Sequence, residues 1–166
     1  MSAILPPLSP FLGKNIGQIC SFSIAKDNSK NHGAHFVSHV LGYDFAETCK
    51  NFTLKDKQAS GKGATIRVEK IFNSCTQKGP WAARPVNLTS CLIFVTVSSN
   101  VIVSAGLIRM LTGPQKHVGI FAAGQIWNYS NTQTKVVADV ERTFIEKFTR
   151  FYNTVGKTVE FFYGSL

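Results

Sequence analysis

The sequence predicts an α+β fold in which N-terminal helices pack on a mostly antiparallel sheet. Apolar residues at helical spacing lie in the first half of the chain, whereas β-branched runs separated by turns fill much of the second half. The chain has 166 residues, of which 44% are hydrophobic and 16% are charged, so it can bury a core and is not a disordered chain. We find no internal repeat and no linker, and therefore expect one domain over residues 1–166.

The first half of the chain predicts an arm, two helices and a loop. Residues 1–19 contain three prolines and predict an extended arm. Residues 34–41 have helical spacing and predict a short helix that opens near Gly33. The polar, glycine-containing residues 44–63 predict a loop, and residues 64–75 predict a second helix.

The second half predicts strands and one last helix. Four apolar runs bounded by turn residues predict strands. They cover residues 91–97, 117–121, 125–129 and 158–163. A tight turn at residues 123–124 joins the second and third runs, and residues 101–105 predict either a strand or the start of a surface excursion. The final helix is predicted by five apolar side chains at helical spacing: Val137, Val140, Phe144, Phe148 and Phe151.

The net charge of +9 favours an anionic polymer as partner, such as nucleic acid, a membrane surface or a cell wall. The basic residues are spaced out along the chain and form no nucleic-acid-binding motif, so we expect a solvated basic surface and no nucleic acid partner. A basic nucleic-acid-binding domain stays open as an alternative that depends on charge alone. No run reaches the roughly 18 apolar residues of a membrane span, and the first 19 residues lack the pattern of a secretory signal.

The cysteines predict neither a zinc ribbon nor a Cys-x-x-Cys redox motif, because none of them are closely paired. They are Cys20, Cys49, Cys75 and Cys91. Two disulfides or four buried thiols are both compatible with the sequence, and an even count favours at least one bridge in an oxidising compartment.

A zinc site is an alternative interpretation of the histidines. His35 and His39 lie four residues apart on one helical face and, with Cys49 or His32, offer ligands that zinc uses. No glutamate completes the His-Glu-x-x-His motif of a metallopeptidase. We therefore expect no metal and no cofactor, with His35 packed near a cleft and His39 at the surface.

Two segments contain candidate catalytic residues. Residues 31–37, Asn-His-Gly-Ala-His-Phe-Val, stand at a predicted helix start, and residues 116–121, Lys-His-Val-Gly-Ile-Phe, begin a predicted strand. In cysteine hydrolases a thiol at a helix N-terminus faces a histidine, because the helix end and the imidazolium both stabilise the thiolate. A polar side chain on the next strand orients the imidazole, and we assign that role to Asn128, with Gln125 as second choice.

Together these segments resemble the NlpC-type papain-like amidases, bacterial cell-wall peptidases that include amidase toxins of type VI secretion. That family has a Cys-small-small-aromatic-Val helix start, then a His-Val-Gly-Ile-aromatic strand and a polar residue on the next strand. Ala34, Phe36-Val37 and residues 117–121 match, while His35 replaces the second small residue. The similarity covers residues 28–130 and implies a papain-like fold.

The nucleophile position of this pattern holds Gly33, which has no side chain to attack with. We expect either a natural pseudoenzyme or a replaced cysteine, and favour an inactive or engineered variant because the rest of the pattern is intact. Cys20 is a substitute nucleophile that we also consider. The lecithin retinol acyltransferase group has a similar Asn-Cys-Glu-His-Phe-Val stretch, but its base precedes the nucleophile, an order that fails here.

The resemblance implies a cysteine amidase that cleaves the peptide stems of peptidoglycan. A thiol at position 33 would attack, His117 would shuttle the proton, Asn128 would orient the imidazole, and N–H groups at the helix start would stabilise the oxyanion. We expect His35 and Trp81 to bind substrate.

The same resemblance implies a toxin or lysin, secreted or injected, that acts in the periplasm or at the cell wall. Peptidoglycan is the expected partner, together with an immunity or inhibitor protein for a toxin. The alternative is a catalytically dead module of the same fold that binds wall peptide or a protein.

Overall fold

The computed structural model describes residues 5–46 and 48–166, so the first four residues of the predicted arm and Glu47 of the predicted loop lie outside the described residues. The helices are α1 (Gly33–Leu41), α2 (Leu54–Gln58), α3 (Val68–Ser74) and α4 (Glu141–Phe151). The strands are β1 (Gln77–Pro80), β2 (Ser90–Val97), β3 (Val101–Ser104), β4 (Leu107–Met110), β5 (His117–Ala122), β6 (Gln125–Ser130), β7 (Lys135–Val140) and β8 (Val159–Ser165).

Six strands form one antiparallel sheet in the order β1-β8-β2-β5-β6-β7, and β3 pairs with β4 in a separate hairpin. Strand β2 lies inside the sheet between β8 and β5, which agrees with its continuous apolar run. Helices and an antiparallel sheet together confirm the predicted α+β class. Among the described residues, no helix combines the length and the apolar character that crossing a membrane requires.

Buried side chains form two clusters on opposite faces of the sheet. Leu92 and Phe94 of β2 belong to one cluster, whereas the alternating Ile93 and Val95 belong to the other. The first cluster packs α1, α3 and the N-terminal segment against the sheet, and the second packs α4 through Phe144 and Phe148. The sheet therefore holds α1 on one side and α4 on the other.

The turn predicted at residues 123–124 is confirmed. Ala123 and Gly124 both have positive φ, 51° and 75°, as the tight turn of a two-residue hairpin requires. Ala122 pairs with Gln125 across it. This register places Asn128 on β6 beside the first half of β5, which begins at His117.

The predicted final helix begins later than expected. Val137 and Val140 belong to β7, which pairs with β6 along all six of its residues, and the helix starts at Glu141. The backbone of Val140 is extended (φ −68°, ψ 153°). Sheet pairing of β-branched residues therefore overrides the helical spacing.

Several other boundaries differ from the prediction. The second helix starts at Val68 because Arg67 is extended, and the predicted loop contains α2, whose Thr53 side chain accepts a hydrogen bond from the Asp56 N–H. Residues 101–105 start the β3–β4 hairpin, and the short edge strand β1 was not predicted.

The described part of the N-terminal arm is folded rather than extended. It contains two short 3-10 helices, Ser9–Phe11 and Ile16–Gln18, and it buries Leu8 and Ile16 in the first cluster. All four cysteines are free and buried, so no disulfide bridge is formed in this structure.

Candidate functional site

The start of α1 and the start of β5 are joined by the side chain of Asn31. Its Nδ2 donates to the carbonyl of Lys116 at 2.7 Å, and its Oδ1 accepts from the N–H of Gly33 at 2.9 Å. One amide therefore links the segment before His117 to the first residue of the helix. The two halves of the sequence motif meet at this point.

Gly33 lies directly against His117. A Cβ built on Gly33 would stand 2.7 Å from both Nδ1 and Cε1 of the imidazole. A side chain at position 33 would therefore touch Nδ1, and the ring must move back to admit it. Both residues are buried.

The other ring nitrogen of His117 faces Asn128. Nε2 lies 3.4 Å from Oδ1 of Asn128, which is a long hydrogen bond, as is common in catalytic sites without substrate. Nδ2 of Asn128 donates to Oδ2 of Asp139 at 3.0 Å and to the carbonyl of Ile126 at 3.3 Å. Because both of these partners are acceptors, they fix the amide with its oxygen toward the imidazole.

This orientation determines the tautomer of His117. The amide oxygen of Asn128 can only accept, so Nε2 carries the proton and Nδ1 keeps its lone pair toward Gly33. Among the described residues, Nδ1 of His117 has no hydrogen-bond partner. A buried, unpaired acceptor beside position 33 is placed to accept a proton from a side chain at that position.

Burial is the main reason why the pKa of His117 falls to about 3, and the nearby Lys147 ammonium lowers it further. The imidazole is therefore neutral at pH 7. Its ring stacks on Phe148 with centroids 4.6 Å apart. Lys147 is held at 2.5 Å from Oδ2 of Asp139, so a charged pair stands behind Asn128.

Close packing explains why the His-Val-Gly-Ile motif has a glycine at position 119. A Cβ on Gly119 would lie 2.8 Å from Cγ2 of Ile126 and 3.1 Å from Cβ of Asn128. Gly119 therefore lets β6 approach closely enough for Asn128 to reach the imidazole.

Two backbone N–H groups at the start of α1 are already hydrogen-bonded. The Gly33 N–H donates to Asn31, and the His32 N–H donates to Oδ1 of Asn131 at 2.9 Å. An oxyanion bound by either of these two N–H groups would therefore have to displace an asparagine side chain.

Two pockets border the site. One of about 370 Å³ is lined by Asn31, Arg67, Glu69 and Lys116 among others. Asn31 connects it to the site, because its side chain accepts a hydrogen bond from the Gly33 N–H. The other, of about 140 Å³, is lined by residues that include His117, Asn128 and Lys147. We call the first of these the Arg67 groove.

Of the predicted site residues, Gly33, His117 and Asn128 come together. His35 is fully buried and contacts His32 and His39. Trp81 is buried in the second cluster, where its Nε1 donates to Glu141 at 2.8 Å and its ring packs on Phe121. Neither of these two side chains lines the two pockets at the site.

The four thiols lie elsewhere. Cys20 forms a cluster with Cys49, His35 and His39 rather than with His117. Burial raises the pKa of Cys75 to about 12 and that of Cys91 to about 11. These two thiols are protonated packing residues at neutral pH.

Sequence reasoning missed Asp139, Lys147 and Asn31. Asp139 lies on β7, a segment that was predicted as helix, and this wrong prediction gave no reason to expect its hydrogen bond with Asn128. The usable signal for Asn31 is its position just before the helix start, where asparagine accepts from backbone N–H groups.

Comparisons of this chain with family models, curated proteins and solved structures found no match. The resemblance to the NlpC-type amidases therefore depends on the sequence motifs alone.

Proposed function

We propose that this chain has the site of a papain-like cysteine amidase for the peptide stems of peptidoglycan, with glycine at the nucleophile position. The observation that carries the proposal is the contact between Gly33 and His117. A side chain at position 33 would meet the unprotonated Nδ1, while Nε2 faces Asn128. This is the order of nucleophile, base and orienting residue that cysteine hydrolases use.

With a thiol at position 33, the chemistry follows from these positions. Nδ1 of His117 takes the thiol proton, and the thiolate attacks the amide carbonyl. The resulting imidazolium gives the proton to the leaving amine, and water then hydrolyses the thioester. Asn128 keeps the imidazole in the productive tautomer throughout. The chain as it stands lacks the thiol and is inactive.

The Arg67 groove supports a substrate that carries carboxylates. The side chain of Arg67 is 55% exposed at this groove, and its guanidinium lies 3.9 Å from Glu69. Lys116 is held by Glu69 at 2.7 Å and is largely buried. Arg67 is therefore the better placed of these two cations to bind an acidic group, and the net charge of +9 favours an anionic wall.

A second candidate function is a binding module without catalysis. It is favoured by Gly33 itself, which offers no nucleophile, and by the burial of His117, while the Arg67 groove offers an accessible surface beside them. In this alternative the groove holds wall peptide or an inhibitor protein. Both functions place the protein, secreted or injected, at the cell wall.

The experiment compares Gly33→Cys with Gly33→Ala on purified peptidoglycan, with the products identified by mass spectrometry. Both variants introduce the Cβ beside His117, and only the first supplies a thiol. We expect shortened muropeptides with new amino and carboxyl ends from Gly33→Cys alone. If Gly33→Cys gives no product while the unchanged protein cosediments with peptidoglycan, the binding module is favoured and the amidase proposal fails.

Absence of both cleavage and cosedimentation rejects peptidoglycan as the partner. Binding to random DNA that weakens steeply with salt would then support the basic nucleic-acid-binding alternative.

A further inference from the structure

A second cluster of reactive side chains includes two histidines of α1 and does not include Gly33 or His117. Its members come from three segments: Cys20 follows the 3-10 helix Ile16–Gln18, His35 and His39 lie on α1, and Cys49 lies in the loop after α1. One donor atom from each of the four lies within 4.8 Å of the others.

We propose that Cys20, His35, His39 and Cys49 bind one Zn²⁺ ion in a tetrahedral structural site. Two thiolates and two imidazoles form the Cys₂His₂ set that structural zinc prefers, and bond lengths of about 2.0–2.3 Å place neighbouring donors about 3.3–3.8 Å apart. Sγ of Cys49 already lies 3.6 Å from Nε2 of His39. The other donor pairs lie within 4.8 Å of one another and would have to shorten by at most about 1.5 Å.

The hydrogen bonds of His32 prepare His35 as a ligand. Nε2 of His32 lies 2.9 Å from the carbonyl of Asp27, which can only accept, so the proton is on Nε2. Nδ1 of His32 is therefore an acceptor for Nδ1 of His35, which lies 3.1 Å away. Nε2 of His35 is left with a lone pair.

His35 is fully buried, and its Nε2 has no hydrogen-bond partner among the described residues. A buried acceptor without a partner costs free energy, and a metal ion removes this cost. The chain from Asp27 through His32 to His35 is the outer-shell support that zinc-binding histidines usually have.

Cys49 has the surroundings of a thiolate ligand. The Ala64 N–H donates to its sulfur at 3.0 Å, and both His35 and His39 are neighbours. When zinc binds, the thiols release their protons to solvent, and the two thiolates neutralise the ion, so the buried site has no net charge.

A catalytic role for Cys49 does not fit the same geometry. Cys49 is fully buried, and its sulfur is already in contact with His39 and with the Ala64 N–H. Four protein ligands also leave no open position for a substrate, which is the property of a structural site. This proposal replaces the sequence-based expectation that the chain binds no metal.

Such a site would fix two segments to one helix. Cys20 lies between two 3-10 helices, Ile16–Gln18 and Ser23–Lys26, and Cys49 lies in the loop between α1 and α2, so zinc would join both segments to α1. The start of α1 holds Gly33, two residues before His35. The zinc proposal does not depend on the proposed amidase function, because metal binding is measured on the unchanged chain and cleavage is measured on Gly33→Cys.

The experiment uses the full chain without a histidine tag, purified with reductant. After chelator treatment, Zn²⁺ is titrated into the protein against a chromogenic chelator, and Co²⁺ is added to a second sample. We expect one ion per chain, a rise in the melting temperature on adding Zn²⁺, and the intense visible absorption of tetrahedral, thiolate-ligated Co²⁺.

Cys91→Ser is the matched control, because Cys91 is buried and lies outside the cluster. We expect Cys91→Ser to keep one ion per chain and Cys49→Ser to lose it. His32→Gln is a milder variant that keeps all four ligands and tests the site even where Cys49→Ser does not fold. It should weaken Zn²⁺ affinity by about tenfold, as outer-shell changes do.

The proposal is overturned if the folded, reduced protein takes up no Zn²⁺ and gives only octahedral Co²⁺ absorption. It is also overturned if Cys49→Ser binds the ion as tightly as Cys91→Ser does. A disulfide between Cys20 and Cys49 that persists in reductant, found by peptide mapping, would likewise exclude the zinc site.

Discussion

Nε2 of His117 lies 3.4 Å from Oδ1 of Asn128, and this contact leaves Nδ1 of His117 unprotonated beside Gly33. Behind Asn128 stands the carboxylate of Asp139, which accepts from its Nδ2 at 3.0 Å. The orientation of the His117 imidazole is therefore set through two successive contacts, the second of them with the carboxylate of Asp139 on the neighbouring strand β7. The predictions below test this chain of contacts.

Asp139→Ala should release the Asn128 amide and leave the Lys147 ammonium unpaired. Both lie in partly buried surroundings, so we expect a loss of about 2 kcal/mol in the free energy of unfolding. We also expect ¹⁵N NMR of His117 to change from one tautomer, with the proton on Nε2, to a mixture of two. Urea unfolding measures the first effect.

Glu146→Ala is the control for this loss of charge. Its carboxylate pairs with Arg142 at 2.8 Å, and both side chains are mostly exposed. Removing it should cost less than about 0.5 kcal/mol and leave the His117 signals unchanged. Equal costs for the two variants, with one tautomer in both, would show that Asp139 does not orient the site.

The buried His117 should make the fold sensitive to acid. Its pKa is about 3 in the folded protein, against an unfolded value near 6.5, so the unfolded chain binds the proton more readily. The stabilising contribution is complete above pH 6.5 and is lost as pH falls from there toward 3. Burial and the Lys147 ammonium lower this pKa, and the opposite effect of the Asp139 carboxylate is too small to offset them.

His117→Gln removes the titrating group, and its side-chain amide can still donate to Asn128. Between pH 6 and 4 we expect the slope of unfolding free energy against pH to decrease by up to about 1.4 kcal/mol per pH unit. The other histidines are present in both proteins and cancel in this comparison. Identical slopes would mean that His117 is not held neutral by burial.

Gly119→Ala should separate β5 from β6 at the site. The new methyl group would lie 2.8 Å from Ile126 and 3.1 Å from Asn128, so we expect a loss of about 1–3 kcal/mol from overpacking. Because Asn128 is displaced, the His117 tautomer should become mixed as well. A stable variant with unchanged ¹⁵N signals would refute the steric role of Gly119.

Local signals in the sequence predicted the elements that hold Gly33, His117 and Asn128. A helix start, a strand beginning at His117 and a two-residue turn at Ala123 and Gly124 each depend on neighbouring residues, and the hairpin register then places Asn128. The family pattern supplied the pairing between the helix and the strand.

Non-local pairing explains what was missed. Val137 and Val140 fit helical spacing as well as strand alternation, and only their pairing with β6 decides for a strand. In the same way, Cys20 and Cys49 share no short motif with His35. Folding of the N-terminal segment onto α1 brings these side chains together.

The most direct test of the central claim is the rate at which iodoacetamide alkylates the thiol introduced by Gly33→Cys, followed by peptide mass spectrometry. Gly33→Ala gives the background from the four native cysteines. If Nδ1 of His117 faces position 33, the thiol should react at least about tenfold faster in Gly33→Cys than in Gly33→Cys with His117→Gln. Equal rates in these two folded proteins would contradict the account.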